Sequence, residues 1–233
     1  MSGQEKNTNE KGFYINSEEV RTMAKSITPS GHFGISADMI QEVEDAVTPE
    51  EQEYLLNFAK NNQVWDVTEN NYNENGTLIY GANIWKDRVA SYRNLQQNDP
   101  KVVEILSAIV ERLRLKIEDF YNVKVTASGP AVVRWPLGTH QHPHADKEMH
   151  DGPDAGKPNN FPWYDLGTVF YLNDDYEGGE LFFPLQGIKF KPKARAAYFF
   201  PGDKNYIHGV TPVLSNCRYT APFFWTIKEL DVK

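Results

Sequence analysis

The sequence predicts an α+β domain in which helices buttress an antiparallel β-sandwich or barrel. Three observations carry this expectation. Before Val123, a capping sequence at Thr48 and apolar residues at helical spacing after Asp99 mark two helices. After Val123, short aromatic and β-branched runs alternate with Gly, Pro, Asn and Asp turns. The chain has 233 residues, 40% hydrophobic and 13% aromatic, enough to bury one core without disulfide or metal staples.

The elements follow in order. Residues 1–35 are polar with no sustained period and read as a leader, mobile or loosely docked. The domain then occupies residues 36–233. Met39 to Val47 alternates weakly, as a strand does. Thr48-Pro49-Glu50-Glu51 is a helix start: Thr48 caps, Pro49 suits the first turn and Glu51 closes a capping box. That helix should run to about Lys60. Gln63 to Ser91 holds Asn-rich turns and β-type segments, and Asn75-Gly76-Thr77 reads as a tight turn. Asp99-Pro100 opens a second helix, with Val102, Leu106, Ile109, Leu113, Ile117 and Phe120 on one apolar face. Strands are expected at Ala131–Trp135, Thr168–Leu172, Glu180–Phe183, Gly187–Phe190, Ala196–Phe200, Val210–Val213 and Tyr219–Ile227. Lys147 to Tyr164 interrupts them with a stretch rich in Gly, Pro and Asn. It reads equally as a lid and as a surface insertion.

Composition narrows the function classes. A net charge of −8 and the lack of a dense Lys/Arg stripe disfavour a nucleic-acid partner. No apolar run reaches the roughly 18 residues of a membrane span. The N-terminus lacks the apolar stretch of a signal peptide. The single cysteine, Cys217, has no internal disulfide partner and points to a reducing compartment. The expectation is a soluble, cytoplasmic protein with no membrane partner.

The chemistry concentrates in a histidine cluster. His140, His142, His144 and His150 fall within eleven residues, and Asp146 follows His144 by two. On a strand, residues two apart face one side, so His144 and Asp146 would offer an imidazole nitrogen and a carboxylate to one ion. His-x-Asp alone is weak evidence: six histidines and the aspartates of this chain supply about 0.4 by chance. His208 adds weight, because 64 positions allow the sheet to fold back. Two histidines and a carboxylate on one face of a metal leave three coordination sites open, which suits a ferrous oxygenase. Arg218 lies ten residues past His208 on a strand, with Thr220 on the same side. A barrel-facing guanidinium needs a carboxylate, and none stands nearby in sequence. Gly178-Gly179-Glu180-Leu181-Phe182-Phe183-Pro184 permits a tight turn into an apolar strand.

Together these residues resemble the 2-oxoglutarate/Fe(II)-dependent dioxygenases, and most closely their prolyl-4-hydroxylase-like branch. The resemblance covers roughly residues 36–228. It is strongest in Val132-Val133-Arg134-Trp135, His144-Ala145-Asp146, Tyr171-Leu172-Asn173, Gly178 to Pro184, and His208 with Arg218-Tyr219. It implies a double-stranded β-helix, or jelly-roll, core buttressed by N-terminal helices. It implies His144, Asp146 and His208 as ligands of Fe(II), and Arg218 and Tyr171 as partners of the far carboxylate of 2-oxoglutarate. Thr220 is added to that set by strand geometry. Trp135 stands where prolyl hydroxylases commonly have a cosubstrate-contacting tyrosine, and Arg218 where many collagen-type members have lysine. The implied reaction consumes O2 and 2-oxoglutarate, releases succinate and CO2, and hydroxylates an aliphatic C–H, with ascorbate as an auxiliary reductant. The retained Asp146 favours hydroxylation over halogenation. A peptidyl proline is the substrate the resemblance favours, with a free amino acid or other small molecule as the alternative.

Candidate substrate contacts are Arg134, Trp85, Arg88, His142, Glu148, His150 and Trp163. Two rival readings of the same region remain open at the level of sequence. A cupin-type metal barrel would use His142, His144 and Glu148. A non-catalytic binding module would keep the barrel and make no use of the metal set. A nucleic-acid demethylase is a third, weaker reading.

Overall fold

Capping chemistry starts the helices. In the computed structural model, which describes residues 28–66, 85, 87–159 and 161–230, helix α1 spans Pro49–Asn61. Thr48 Oγ1 accepts the Glu51 N–H (3.2 Å) and the Glu51 carboxylate accepts the Thr48 N–H (2.9 Å), the reciprocal box expected from the sequence. Helix α2, Tyr92–Asn98, starts at Ser91 and was not anticipated. Its seven residues are too short to show a period. Asp99 accepts the Lys101 N–H, and α3 follows over Pro100–Tyr121. Asn122 ends it in the left-handed conformation, φ 56°. Val102, Leu106, Ile109, Leu113 and Ile117 are buried as their spacing requires. Phe120 is not: it is 39% exposed, and the neighbouring Tyr121 turns inward instead.

Among the described residues, seven strands form the larger sheet: β1 (Gln41–Val43), β2 (Val89–Ala90), β3 (Val123–Ala127), β4 (Val132–Trp135), β6 (Leu166–Tyr171), β9 (Ala197–Pro201) and β11 (Arg218–Leu230). Their order is β1-β9-β6-β11-β4-β2, and all pairs are antiparallel. The long β11 pairs with β4 through Arg218–Thr220 and, on the same edge, with β3 through Trp225–Leu230. Pro222 sits in the gap between those two partners, where no ladder bond needs its missing N–H. A smaller sheet, order β5-β10-β7-β8, contains β5 (Gln141–His144), β7 (Leu181–Phe183), β8 (Ile188–Phe190) and β10 (His208–Val210).

Both faces of the larger sheet are covered, so adjacent residues enter different cores. Phe170 and Phe199 pack under the helices with Leu55, Leu106, Ile109 and Trp225. Their neighbours Tyr171 and Tyr198 face between the sheets with Phe183, Phe200 and Tyr206. A smaller inter-sheet cluster joins Val133 and Trp135 to Val210 and Val213. Burial on both faces explains why these strands read as continuous apolar runs rather than clean alternation. The architecture is a helix layer on a double-stranded β-helix, with the site between its two sheets.

Several expected boundaries move. The strand expected over Met39–Val47 is only Gln41–Val43, preceded by a 3-10 turn at Ala37–Met39. The strand expected over Val210–Val213 starts instead at His208. The Asn75-Gly76-Thr77 turn lies outside the described residues. Residues 28–35 are not loosely attached: Thr28 is buried and hydrogen-bonded to Asp165, and Gly31 N–H donates to Asp203. No helix among the described residues is long and apolar enough to cross a membrane.

Candidate metal centre

Strand pairing brings the two histidines together. His144 of β5 lies opposite His208 of β10, with ring centroids 4.5 Å apart. Two residues further along β10, Val210 faces Gln141, so His142 and Pro143 of β5 together oppose the single Gly209 of β10. This is a β-bulge at His142-Pro143, where a proline cannot support a regular ladder. The bulge turns Gln141 and His144 toward one side. The Gln141 amide nitrogen stands 3.1 Å from His144 Nε2. His142 is thrown outward, against His140 at 4.9 Å.

Asp146 reaches the same point by a different route from the one expected. The strand ends at His144, so period two does not place the carboxylate. Instead the Asp146 N–H donates to the Gly202 carbonyl (2.9 Å), and Asn159 donates to the Asp146 carbonyl (2.9 Å). Asp146 Oδ1 then lies 3.7 Å from Nε2 of both His144 and His208. Its other oxygen rests against Gly167, where a Cβ would stand 2.5 Å away. Ligand atoms of the three residues lie within 4.8 Å of one another, the one such group among the described residues.

Tautomer and charge suit a cation. His144 Nδ1 and His208 Nδ1 lie 3.0 and 3.1 Å from the carbonyls of His142 and Tyr206. A carbonyl only accepts, so each Nδ1 carries the proton and each Nε2 presents its lone pair toward the centre, that of His144 within reach of the Gln141 amide. Burial holds the His144 imidazolium down at about 4 and drives His208 well below the usual histidine range. Burial also pushes the Asp146 carboxyl up to about 8, and Oδ2 has no hydrogen-bond partner. Two neutral imidazoles and a buried carboxyl group, which a bound cation would keep ionised, fit a divalent ion, and two histidines with one carboxylate are a donor set that suits Fe(II).

Arg218 is the second feature. It is 1% exposed, and its Nη2 donates to the Tyr171 phenol at 3.3 Å. Nε and Nη1 have no hydrogen-bond partner among the described residues, and no carboxylate there forms an ion pair with it. The guanidinium lies 4.5 Å from the Trp135 ring centroid and 5.0 Å from that of Tyr171. The turn before β7 is shaped for it: Gly179 has φ +61°, and a Cβ there would meet Arg218 Cδ at 2.9 Å. A buried guanidinium with two unsatisfied nitrogens has the chemistry to take an external carboxylate, the group 2-oxoglutarate carries at its far end.

The remaining expected contacts divide. Trp135 and Thr220 line the same region, but the single indole donor is used on Thr220 Oγ1 (3.1 Å), so Trp135 supplies a flat wall there. Arg88 stacks on Trp135 at 4.2 Å and approaches Trp85 at 5.1 Å. Burial, with the nearby Arg218, lowers the Arg88 guanidinium to about 10.

Four of the expected substrate contacts have other neighbours in the structure. Arg134 faces away from Trp135, as neighbours on a strand must; it donates to the Asp87 carbonyl and lies over Trp65. His142 is displaced outward by the bulge. Glu148 is buried and accepts from Ser30 Oγ and the Lys204 N–H. Trp163 joins the aromatic anchor of the 147–164 loop, where Tyr164 stacks on Phe224 at 4.0 Å. His150 lies beside Asp151 at 4.0 Å. With His142 and Glu148 both turned elsewhere, the cupin-type ligand set is excluded.

Sequence reasoning missed Gln141, Gly167 and the Lys147–Asp165 ion pair. Pro143 inside a strand was the available signal for the bulge that aims Gln141. Gly167 and Asp165 gave none, because their partners are remote in sequence.

Known proteins agree with this geometry. Residues 130–226 match the model of the 2OG-Fe(II) oxygenase superfamily. Prolyl 3-hydroxylase 2 of Homo sapiens is 31% identical over 99 residues, a match that covers 38% of this chain and 14% of that protein. The Rattus norvegicus protein of the same name matches equally. The chain therefore spans about one seventh of the length of the curated relatives it matches. Among solved structures, the Pseudomonas putida prolyl-4-hydroxylase has a TM-score of 0.55 at 16% identity, covering 82% of this chain and 93% of that one. A Trichoplax adhaerens prolyl hydroxylase in complex with a hypoxia-inducible-factor oxygen-degradation-domain peptide fragment has a TM-score of 0.55 at 16% identity, covering 90% of each chain. The 2-oxoglutarate complex of the viral collagen prolyl hydroxylase of Paramecium bursaria Chlorella virus-1 gives 0.53 at 16% identity, over 83% and 98%. Residues 130–226 are thus similar to the 2OG-Fe(II) oxygenase superfamily, and the fold around them resembles that of the solved prolyl hydroxylases.

Proposed function

We propose that this protein is an Fe(II)- and 2-oxoglutarate-dependent dioxygenase that hydroxylates a prolyl residue in a peptide. The observation that carries the reading is the pairing of two sites: the His144/Asp146/His208 cluster, and a buried Arg218 whose free nitrogens await a carboxylate. The peptide substrate is supported by the prolyl hydroxylases among the similar proteins, one of them seen with a peptide. An intracellular site of action is supported by the unpaired Cys217.

A ferrous ion with 2-oxoglutarate and O2 supplies oxidation of an unactivated C–H, one oxygen atom entering the product and the other entering succinate as CO2 is released. The chain's own residues bind, orient and exclude water. Nε2 of His144 and His208 and the Asp146 carboxylate would hold the ion on one face. The Arg218 fork would take the C5 carboxylate of 2-oxoglutarate, with the Tyr171 phenol beside it. Phe183 and Phe200 pack against His208 at 5.5 and 4.4 Å and keep that side dry. Ascorbate would act as an auxiliary reductant.

Succinate release tests the reading. The protein is supplied with Fe(II), ascorbate and 2-oxoglutarate and offered proline-containing peptides and free amino acids. Peptide-dependent succinate matched by hydroxyproline is expected, and product analysis assigns the 3- or 4-position. Asp146→Ala should abolish it. Substrate-coupled turnover that survives in Asp146→Ala would refute the metal assignment, and coupling only to free amino acids would refute the peptide substrate.

A further inference from the structure

The segment Thr28–Ser36 precedes the helix layer and lies outside the residues that match the superfamily. It nevertheless touches both loops that carry the metal-site residues. Thr28 is 4% exposed. Its Oγ1 donates to Asp165 Oδ1 at 2.7 Å, while Lys147 Nζ donates to the Thr28 carbonyl at 2.9 Å and contacts Oγ1 at 3.1 Å. Lys147 and Asp165 complete the triangle as a buried ion pair of 2.9 Å, and Asp165 Oδ2 accepts the Ile227 N–H of β11. Lys147 is the residue after Asp146, and the N–H groups of both donate to the Gly202 carbonyl.

The same segment holds the other loop. Gly31 N–H donates to Asp203 Oδ2 at 2.9 Å, and Asn205 donates to the Gly34 carbonyl at 2.9 Å. The Tyr206 hydroxyl contacts the carbonyls of Phe33 and Ser36. Tyr206 in turn supplies the carbonyl that fixes the His208 tautomer. Ser30 donates to Glu148, which also accepts the Lys204 N–H and so ties the two loops to each other.

We propose that residues 28–36 form a positioning strap for the metal centre, with Thr28 holding the backbone of Asp146 in place through Lys147 and Asp165. The need is physical. Asp146 lies beyond the end of β5, where no ladder bond fixes it, so its position depends on these contacts. Thr28 touches no ligand and acts through its neighbours. The proposal rests on the reading that His144, Asp146 and His208 bind a divalent ion.

The test is titration of metal-free protein with Co(II), followed by its visible absorption. Thr28→Val removes the hydroxyl at constant volume, Thr28→Ser restores it, and Ile109→Val trims the distant helix-layer core as a stability control. Loss of an outer partner of a metal site weakens binding by roughly ten- to a hundredfold. Thr28→Val is expected to weaken Co(II) binding about tenfold with an altered band shape. Thr28→Ser should return it to within about threefold, and Ile109→Val should leave it unchanged. Wild-type affinity in Thr28→Val, or equal weakening in Ile109→Val, overturns the strap. If Thr28→Val does not fold, Ser30→Ala takes its place, and unchanged affinity there overturns it equally. Failure of the underlying reading is distinguishable: wild-type protein would then bind no Co(II), or Asp146→Ala would bind it as tightly.

Discussion

Arg218 is buried almost completely, yet two of its nitrogens have no hydrogen-bond partner among the described residues. Charge-assisted hydrogen bonds contribute about 1.5–3 kcal/mol, so Arg218→Ala should raise the 2-oxoglutarate requirement roughly ten- to a hundredfold. Steady-state kinetics in 2-oxoglutarate measures this, and an unchanged KM would remove the guanidinium from that role. Gly167 sets the opposite constraint. Its missing side chain leaves the space that Asp146 Oδ2 occupies, and a Cβ would approach to 2.5 Å. Gly167→Ala should therefore weaken metal binding while the far-ultraviolet spectrum stays native. Calorimetric titration with Co(II) checks it, and wild-type affinity would show that the carboxylate can move aside. Both residues illustrate how unevenly the site was legible. His144, Asp146, His208 and Arg218 could be named from spacing and residue type. The reason given for Asp146 was wrong, because a turn anchored on Gly202, and not strand alternation, aims its side chain. Arg134, His142 and Glu148 sit close to the motif in sequence and still face elsewhere.

At the scale of elements, α3 and β11 carry most of the architecture. α3 offers Leu106 and Ile109, both fully buried, to the sheet beneath it. Ile109→Ala should cost about 2–5 kcal/mol in urea unfolding, the range for deleting a buried branched side chain. Loss of the Thr48 cap in Thr48→Ala should cost only about 1 kcal/mol, since it frees one exposed backbone donor. An equal cost for the two would mean that the helix layer is not what holds the larger sheet. The boundaries of α1 and α3 were readable because caps and 3.6-residue spacing are local signals. α2 and β2 were not, being seven and two residues long. The bulge in β5 depends on pairing with β10, 64 residues away at His208, although Pro143 marks its position. It decides that Gln141 faces the metal site and His142 does not.

For the whole molecule, the site exists only where the two sheets face each other. β5 and β10 of the smaller sheet bring the histidines, while β11 of the larger one brings Arg218. Ligands that bridge the two sheets should stabilise the entire fold. With metal and 2-oxoglutarate each at about 100 times their dissociation constants, a stabilisation of about 2.7 kcal/mol per ligand is expected. Thermal unfolding under anaerobic Fe(II) should show the two increments in turn. Arg218→Ala should lose most of the second increment, and Asp146→Ala should lose both. A wild-type protein whose melting temperature ignores both ligands would contradict a site spanning the sheets.

The sequence by itself determined the α+β class, the two long helices, the run of short antiparallel strands and the identity of four chemical groups. These are properties of local spacing, capping and residue type, which act over a few residues. Only the tertiary structure decided that Asp146 is aimed by Gly202 and given room by Gly167, that Gln141 faces the site, and that Thr28 braces it through Lys147 and Asp165. Those contacts join segments tens to more than a hundred residues apart, and their geometry is set by which strands pair and where one of them bulges.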